Sequence, residues 1–468
     1  MKNRILLLIF FTAFFVNAIA QTQQDIYKKP LREVLTDIEK KYKIKLQYSE
    51  NLVKDVVVMY PTWRYRTDTE LTLTNILMPL DMVFQKTADN TYQVTKYNYY
   101  QRPVTEGKKD LDRLLTLYPS VSLWEQRKAE LRKCFFEQAG LSPMPRTTPL
   151  NPIYTPVRKY DGYTVQNVGI ETLPGVYLCG SLYRPSKGKG PFPAVLSPHG
   201  HFNSPDLNLN GRYRPDQQYR CAMLARMGAV VFSYEMFAYG ESLLQVAKED
   251  HRTVLAMTMQ TLNSIRVLDF LTSLKYVDSE RIGVTGESGG GTQTFLLTAL
   301  DDRVTVSVPV VMVSSYYHGG CTCESGLPIH SCSDVGTNNA EIAAMASPRP
   351  MLVISDGNDW TQHVPVIEFP YLQKVYGLYG RKDNVENVHL ANEGHDYGVN
   401  KRLGLYDFMA RHLGLNISAV KDKTGKIDES KVTIENYEAL LVFGKEGKLP
   451  PTAIKGSDEI KRVLKSLQ

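Results

Sequence analysis

The stretch Gly286-Glu287-Ser288-Gly289-Gly290-Gly291 constrains the fold of this chain more than any other part of it. A short apolar segment, Arg281 to Thr285, precedes it, and Thr292 to Leu300 follows with the pattern of a helix. Strand, G-x-S-x-G and helix in succession are typical of a nucleophile elbow, a sharp turn that exposes the serine Oγ above a sheet. The flanking glycines are needed because side chains there would clash in so tight a turn. We therefore interpret Ser288 as a nucleophile rather than as the capping serine of a glycine-rich turn.

A nucleophilic serine needs a general base, and the base needs an acid that orients it. In chains with this elbow, the acid and then the histidine follow the serine in sequence. Asp359 and His395 each lie in a loop just after a predicted strand, where their side chains can converge with Ser288. Asp356 is the rival acid, and we favour Asp359 because it ends its loop. His389 falls inside a predicted strand and is interpreted as structural.

A second loop can supply the N–H groups that hold an oxyanion. Pro198-His199-Gly200-His201 follows the third predicted strand, which is the place from which this fold takes its second donor. We predict Gly289 as the first N–H donor and His201 as the second, with Gly200 allowing the close approach. His199 is interpreted either as a substrate contact or as a packing group, and the residues alone leave both open.

From about residue 160, predicted strands and helices alternate along the chain. The predicted strands are Tyr163–Ile170, Val176–Tyr183, Phe192–Leu196, Ala229–Ser233, Arg281–Thr285, Thr305–Val311, Met351–Ile354 and Val385–His389, and the helices include Tyr219–Met227 and Val254–Leu274. An antiparallel hairpin followed by β/α alternation predicts an α/β fold with a doubly wound, mostly parallel sheet. Ligands bind such sheets at the carboxyl ends of the strands.

Residues 1–20 have the pattern of a cleavable signal peptide. Lys2 and Arg4 form a positive start, an apolar core follows, and Ala18-Ile19-Ala20 supplies a small-residue cleavage site. The apolar run is shorter than the 20 or so residues that span a bilayer, and no lipobox cysteine follows it. The sequence therefore predicts an exported protein, periplasmic or secreted, that is not integral to a membrane.

Composition limits the remaining classes of function. The chain has 468 residues, 43% of them apolar and 22% charged, which is typical of a globular protein with more than one domain. The formal charge is +6, and two of the positive charges lie in the predicted signal peptide. Without a basic run interleaved with aromatic residues, this charge does not indicate nucleic-acid binding.

Residues 21–97 are predicted to form a small α+β domain. Its predicted elements are the helices Pro30–Tyr42 and Thr69–Leu80 and the strands Lys43–Tyr48, Val56–Tyr60, Met82–Lys86 and Thr91–Thr95. This order, with the phrase from Pro30 to Leu35, resembles the secretin and TonB short N-terminal domain. The resemblance implies a periplasmic contact module, so we expect an envelope protein partner for these residues.

Two further segments flank the predicted catalytic domain, which spans residues 151–416. Residues 98–150 are predicted to be a helical linker and strap, with a capping box at Ser122–Glu125 that starts a helix running to about Gly140. Residues 417–468 are predicted to be an accessory segment with a strand at Tyr437–Phe443 and a terminal helix.

The six cysteines are consistent with an exported protein, and three of them lie close together in sequence. Cys321, Cys323 and Cys332 are interpreted as a disulfide or as buried thiols rather than as metal ligands, because zinc sites usually have C-x2-C spacing and His330 is the only imidazole between these cysteines. The other three, Cys134, Cys179 and Cys221, are predicted to lie in the core. We predict neither a metal nor an organic cofactor.

Several landmarks together resemble one group of enzymes. The segment from about 105 to 416 is similar to bacterial α/β-hydrolases of the acetylxylan-esterase-like kind, at Leu173–Tyr177, His199–His201, Gly286–Gly291, Asp359–Thr361 and Gly394-His395. The resemblance implies hydrolysis of acyl esters, often acetyl groups on plant polysaccharides. It also implies that Trp360 and Glu235 bind substrate, although Glu235 stands where the group usually has aspartate. Glucuronoyl esterases are distant relatives with an arginine near the elbow serine, where this chain has glycines.

Two alternatives to an exported serine esterase remain open at this point. The elbow also fits a peptidase of the prolyl-oligopeptidase type, although such enzymes usually carry a large β-propeller that residues 22–150 are too few to form. The other alternative is a sensor or docking protein whose hydrolase fold is inactive.

Overall fold

The computed structural model describes residues 28–77, 80, 82–96, 100–202, 204–325, 328–333 and 335–468. The predicted signal peptide lies outside these residues. Contacts divide the chain into two compact units, Met1–Asn98 and Tyr99–Gln468, which we describe separately. In the described part of the chain, no helix is both long and apolar enough to cross a membrane.

The smaller unit consists of short strands and helices around its own core. Its strands are β1 Lys28–Pro30, β2 Lys45–Gln47, β3 Val57–Met59, β4 Met82–Ala88 and β5 Thr91–Lys96, and its helices are α1 Leu31–Tyr42, α2 Glu50–Val53, α3 Pro61–Arg64 and α4 Thr69–Leu77. One sheet has the order β2-β5-β4, and β1 pairs with β3. The core is built on the apolar stripe of α1, from Leu31 to Ile38. Helices α2 and α3 were not predicted.

The larger unit is built on one ten-stranded sheet. Its strands are β7 Ile153–Tyr154, β8 Arg158–Tyr160, β9 Tyr163–Leu173, β10 Val176–Pro185, β11 Phe192–Pro198, β12 Val230–Tyr234, β13 Val277–Glu287, β14 Val306–Val310, β16 Met351–Asp356 and β17 Val385–Leu390, while β6 Tyr100–Gln101 and β15 Tyr317–Gly319 pair apart from it. The sheet order is β17-β16-β14-β13-β11-β12-β10-β9-β7, with β8 also on β9. Neighbours from β17 to β12 are parallel, and β10, β9, β8 and β7 join antiparallel. The predicted α/β-hydrolase fold is confirmed.

Helices cover both faces of this sheet. They are α5 Val104–Leu117, α6 Val121–Gln138, α7 Pro215–Arg226, α8 Val254–Ser273, α9 Gly289–Leu300, α10 Thr322–Ser325, α11 Asn339–Ala344, α12 Glu368–Leu378, α13 Val399–Leu413 and α14 Ser457–Leu467. The 3-10 helices are Leu207–Leu209, Gly211–Tyr213, Gly240–Leu244, Lys248–Arg252, Pro328–Ser331, Lys382–Asn384, Ile417–Val420 and Tyr437–Leu440. Strand β16 shows the two-sided burial: Met351 and Val353 join one core, and Leu352 and Ile354 join the other.

The residues between the two predicted domains pack into the larger unit. Trp124, Leu131 and Phe135 of α6 are buried in the same core as residues of α9 and β16. The N-cap of α6 is Ser120, whose side chain accepts a hydrogen bond from the N–H of Leu123, so the predicted capping box lies two residues too late. The paired helices α5 and α6 are therefore part of the hydrolase unit, and α5 was not predicted.

The predicted strand at 437–443 is wrong. Tyr437–Leu440 form a 3-10 helix whose N-cap is Asn436. The next N–H groups, of Val442 and Phe443, donate to the carboxylate of Glu241 rather than to a strand. Tertiary contacts thus replace the sheet partner that the strand-like sequence suggested, whereas the predicted terminal helix is present as α14.

The prediction that Cys134 is a core thiol is also wrong. Cys134 forms a disulfide with Cys332, across a sequence separation of 198 residues. The bond joins α6 to the segment after the 3-10 helix Pro328–Ser331. Cys179, Cys221, Cys321 and Cys323 are free and buried.

Candidate active site

Ser288 occupies a strained turn between β13 and α9. Its φ and ψ are 55° and −124°, in a region that residues with a side chain rarely adopt. A Cβ added at Gly286 would lie 2.5 Å from the carbonyl oxygen of Pro198, and one at Gly290 would lie 2.6 Å from the same atom. Since these are backbone contacts that cannot move aside, only glycine fits on either side of the serine. The turn has the geometry of a nucleophile elbow.

The structure places His395 beside Asp359. Nδ1 of the imidazole lies 2.6 Å from Oδ2 of the carboxylate. The other carboxylate oxygen accepts hydrogen bonds of 2.6 Å from both the N–H and the hydroxyl of Thr361, which fixes the orientation of Asp359. Because Nδ1 donates to a carboxylate, Nε2 of His395 is the nitrogen left to act as a base.

The hydroxyl of Ser288 makes no hydrogen bond to His395 among the described residues. Such bonds are often long in a free enzyme and shorten when substrate binds, so the open Ser288–His395 contact is compatible with a catalytic pair.

Asp356, the rival acid, lies at the end of β16 and has different partners. Its carboxylate is 3.4 Å from Nζ of Lys401 and accepts the N–H of Asn358. Burial and the neighbouring charge of Asp359 raise the pKa of Asp356 to about 6. A carboxylate whose pKa is raised in this way, with no imidazole bonded to it, is not placed to orient a catalytic histidine.

Trp360 packs against the histidine base. Its ring centroid lies 4.5 Å from that of His395 and 4.3 Å from that of Tyr317. Both aromatic rings are partly exposed. The predicted substrate-binding tryptophan therefore lies at the site, where it restricts the orientation of the imidazole and leaves part of an apolar face open.

The loop after β11 runs directly against the nucleophile. A Cβ added at Gly200 would lie 3.1 Å from Cβ of Ser288 and 2.8 Å from the carbonyl oxygen of Glu287. The N–H of Gly289 is the first of α9 and has no partner within the helix. The N–H of His201 bonds no other group in the described part of the chain. Both predicted oxyanion donors are thus available.

His199 is held by the backbone. It is 1% exposed. Its Nε2 accepts the N–H of Met236 and its Nδ1 lies 2.8 Å from the carbonyl oxygen of Gly200. Burial lowers the pKa of His199 to about 3, so the ring is neutral. These contacts favour the packing role of His199 over contact with substrate.

Glu235 is likewise committed to internal partners. Its Oε1 lies 2.9 Å from Nε of Arg212 and accepts a hydrogen bond from the hydroxyl of Tyr213. Arg212 also pairs with Glu241. The Glu235 side chain is 1% exposed, so it stabilises the fold beside the site rather than reaching a ligand.

Sequence reasoning missed the role of Glu287, the variable residue inside G-x-S-x-G. Its carboxylate is fully buried, with Oε1 3.0 Å from Arg214 and Oε2 2.8 Å from Arg220. Oε1 also accepts the N–H of Gly200 across 3.3 Å. The only sequence signal was a charged residue at a position expected to be buried.

Sequence reasoning also missed a cluster of two imidazoles and two thiols. The side chains of His201, His251, Cys321 and Cys323 each place one possible ligand atom so that all four lie within 4.8 Å of one another. His330, the imidazole considered from the sequence, instead stacks on His318 and lies 2.8 Å from Asn339. His201 lies in the loop after β11 and His251 in the 3-10 helix Lys248–Arg252, far from the cysteines in sequence, which is why spacing alone did not reveal the group.

The solved structure of the methylesterase BT1017 is 45% identical to this chain, with a TM-score of 0.73 over 94% of this chain and 98% of that one. This similarity, together with the α/β-hydrolase sheet and its strained serine, defines the protein as a carboxylic ester hydrolase. The chain belongs to the family of this methylesterase.

Other similarities are weaker. The Bacillus subtilis (strain 168) protein named "Putative hydrolase YtaP" is 23% identical over 256 residues, which are 50% of this chain and 81% of that protein. A protein described as a "putative acetyl xylan esterase" from Bacteroides fragilis is 18% identical, with a TM-score of 0.45 over 59% of this chain and 78% of that one. No substrate is inferred from these two. No family model matches the chain.

Proposed function

We propose that this protein is an exported serine esterase that hydrolyses methyl esters of carbohydrate carboxyl groups through Ser288, His395 and Asp359. The observation that carries the catalytic part is the 2.6 Å contact between His395 Nδ1 and Asp359 Oδ2, on loops that follow two parallel strands of the sheet bearing the strained serine. Serine, acid and histidine occur in the chain order of the α/β-hydrolase fold.

In the first half of the reaction, Ser288 Oγ attacks the ester carbonyl carbon while Nε2 of His395 takes the hydroxyl proton. Asp359 accepts a hydrogen bond from Nδ1 and stabilises the imidazolium that forms. The negative oxygen of the tetrahedral intermediate is held by the N–H groups of Gly289 and His201. The C–O bond to the alcohol then breaks, the imidazolium protonates the leaving alkoxide, and an acyl-enzyme remains.

In the second half, water attacks the acyl-enzyme. His395 takes a proton from the water, and the same two N–H groups hold the second tetrahedral intermediate. Collapse of this intermediate returns the proton to Ser288 Oγ and releases the carboxylic acid. The cycle is complete with these residues and water.

The choice of a methyl ester rests on the family relationship. The methylesterase that shares 45% of its sequence with this chain outweighs the acetyl esters that the sequence motifs suggested. A methyl ester on a carbohydrate requires a carboxyl group, so the matching substrates are methyl uronates. Trp360 lies beside His395, and Tyr317 packs on Trp360; both residues are partly exposed and offer an apolar wall against which a sugar ring can pack.

The test compares three esters and one amide with the mature protein. We expect methanol release from methyl-esterified polygalacturonate, with less acetate from acetylated xylan, modest turnover of 4-nitrophenyl acetate and none of a dipeptidyl nitroanilide. Ser288→Ala should abolish every activity. Acetate release faster than methanol release would replace the methyl ester by an acetyl ester, and amide turnover would favour the peptidase. A folded wild-type protein inactive on all four would refute the proposal.

Export and envelope docking are the remaining parts of the proposal. The signal-peptide pattern of residues 1–20 supports export, and a distinct compact unit ending at Asn98 is consistent with a separate docking domain for residues 21–97. Deletion of residues 21–97 should leave methyl ester hydrolysis intact while removing capture of an envelope protein. Loss of hydrolysis in a folded truncated protein would contradict the division of roles.

A further inference from the structure

We propose that His201, His251, Cys321 and Cys323 form a zinc-binding site beside the nucleophile. This proposal is independent of the ester that the protein hydrolyses. Two imidazole nitrogens and two sulfurs are a donor set that zinc binds with four protein ligands. Three observations support the assignment: which ring nitrogen each histidine turns toward the cluster, how close the ligand atoms lie to one another, and how deeply the side chains are buried.

The two histidines turn the same ring nitrogen toward the cluster. Nδ1 of His251 lies 2.6 Å from the carbonyl oxygen of Phe237, which can only accept, so this nitrogen carries the proton. Nδ1 of His201 lies 3.4 Å from the carboxylate of Glu324. Histidines that bind metal commonly donate their other N–H to a carbonyl or carboxylate in this way. The Nε2 atoms of both rings therefore face the cluster.

Those two Nε2 atoms lie 2.9 Å apart. Two ring nitrogens this close need a cation between them, either a proton or a metal ion, because their lone pairs would otherwise repel each other. The two sulfurs beside them favour the metal ion. Sγ of Cys323 is 3.0 Å from Nε2 of His201, and Cys321 completes the group. Ligand atoms around a tetrahedral zinc with bonds of about 2.0–2.3 Å are roughly 3.3–3.8 Å apart, so small shifts of these side chains accommodate the ion.

Burial and fixed backbone make the cluster a built site. His251, Cys321 and Cys323 are 5%, 7% and 2% exposed. The hydroxyl of Thr322, between the two cysteines, donates to the carbonyl oxygen of His251, and Glu324 accepts the N–H groups of Gly320 and Cys321. The Thr322 bond joins α10 to the 3-10 helix Lys248–Arg252, and the two bonds to Glu324 fix the turn that carries Cys321.

A zinc ion here would affect catalysis by fixing the position of the loop that carries His201. His201 carries the proposed second oxyanion N–H, and its ring lies against Gly289, where an added Cβ would come within 2.4 Å of it. Coordination through the imidazole would fix the loop that supplies this N–H. His201 would therefore serve the reaction with its backbone while its side chain binds the ion.

The test measures metal content of the full mature protein. After equilibration with Zn²⁺ and desalting, we expect about one zinc per chain by elemental analysis, and a Co²⁺-substituted sample should show thiolate-to-cobalt charge transfer and tetrahedral d–d absorption. The zinc content of the double variant Cys321→Ser/Cys323→Ser should be at least tenfold lower. Cys221→Ser, which removes another buried thiol, should retain the wild-type zinc content.

Thiol titration of the unfolded wild type without reductant tests the same site without relying on the folding of a variant. Four reactive thiols are expected, from Cys179, Cys221, Cys321 and Cys323. Two thiols would mean that Cys321 and Cys323 form a disulfide, and would overturn the proposal. Four thiols with no zinc or cobalt bound would overturn it as well, in favour of an imidazole–thiol network.

Discussion

The carboxylate of Glu287 accepts the backbone N–H of Gly200 across 3.3 Å, so the residue before the nucleophile holds the loop proposed to carry the second oxyanion donor. Two buried arginines, Arg214 and Arg220, neutralise this carboxylate. The elbow strand, the loop after β11 and helix α7 are thereby connected through one side chain beneath the candidate active site.

Replacing Glu287 by glutamine should destabilise the protein. The change keeps the shape of the side chain but leaves Asp216 as the one remaining anion beside two buried guanidinium groups, which we expect to lower the free energy of unfolding by about 3 kcal/mol in urea titrations. Glu386→Gln is the matched control, because its pair with Arg411 is exposed and should be worth less than about 1 kcal/mol. Equal effects of the two substitutions would contradict a structural role for the buried network.

Asp359→Asn and Asp356→Asn distinguish the two candidate acids. Loss of the carboxylate bonded to His395 should lower kcat about 10⁴-fold, because the amide no longer stabilises the required tautomer and the imidazolium. Asp356→Asn should keep kcat within about tenfold, since Asp356 contacts Lys401 rather than an imidazole. Both kcat values are measured by steady-state kinetics on one methyl ester. A larger loss of kcat in Asp356→Asn than in Asp359→Asn would assign the acid to Asp356.

Asp356 should also give stability a specific pH dependence. Burial and the charge of Asp359 raise its pKa to about 6 from 3.8, against the opposing charge of Lys401. The folded state therefore holds this proton more tightly, and the resulting stabilisation is complete below about pH 4 and lost as pH rises through 6. The free energy of unfolding of wild type minus that of Asp356→Asn should fall over this interval. A difference that is flat or rises with pH would show that the proton is not held more tightly in the folded state.

Two glycine substitutions separate steric necessity from ordinary helix propensity. Gly286→Ala should destabilise the protein by more than about 3 kcal/mol, because its Cβ would lie 2.5 Å from the carbonyl oxygen of Pro198 and 2.7 Å from the backbone of Gly290. Gly377→Ala, inside α12 with no atom within 4 Å of the added Cβ, should stabilise it by up to about 1 kcal/mol. Thermal and urea unfolding check both signs. A tolerated Gly286→Ala would refute the close packing of the elbow.

Removal of the Cys134–Cys332 disulfide should lower the free energy of unfolding by about 2–5 kcal/mol, because the bond closes a loop with a sequence separation of 198 residues. The measurement is denaturant unfolding of Cys134→Ala/Cys332→Ala against wild type. As a control, a reductant should bring the wild type close to the variant and leave the variant unchanged. A variant as stable as the oxidised wild type would show that the bond does not constrain the unfolded chain appreciably.

The elbow, the strands of the sheet and the candidate triad could be predicted from the sequence because each depends on local signals. Glycines on both sides of Ser288 predict a tight turn, and the spacing of apolar residues predicts strands and helices. Neither prediction requires knowledge of the tertiary contacts. The order serine, acid, histidine that is typical of the fold limited the candidate partners of Ser288 to residues that follow it, such as Asp359 and His395. The confirmed α/β-hydrolase fold follows from these patterns.

Tertiary structure alone decided which distant residues meet. Cys134 pairs with Cys332, His201 meets His251 and Cys323, and Glu287 meets Arg220, although no spacing in the sequence relates them. Likewise, the residues from Tyr437 to Phe443 have the apolar composition of a strand, but the carboxylate of Glu241 accepts hydrogen bonds from backbone N–H groups that a strand would pair. Local sequence specifies backbone conformation over a few residues, whereas these contacts depend on how the sheet brings the ends of its strands and loops together.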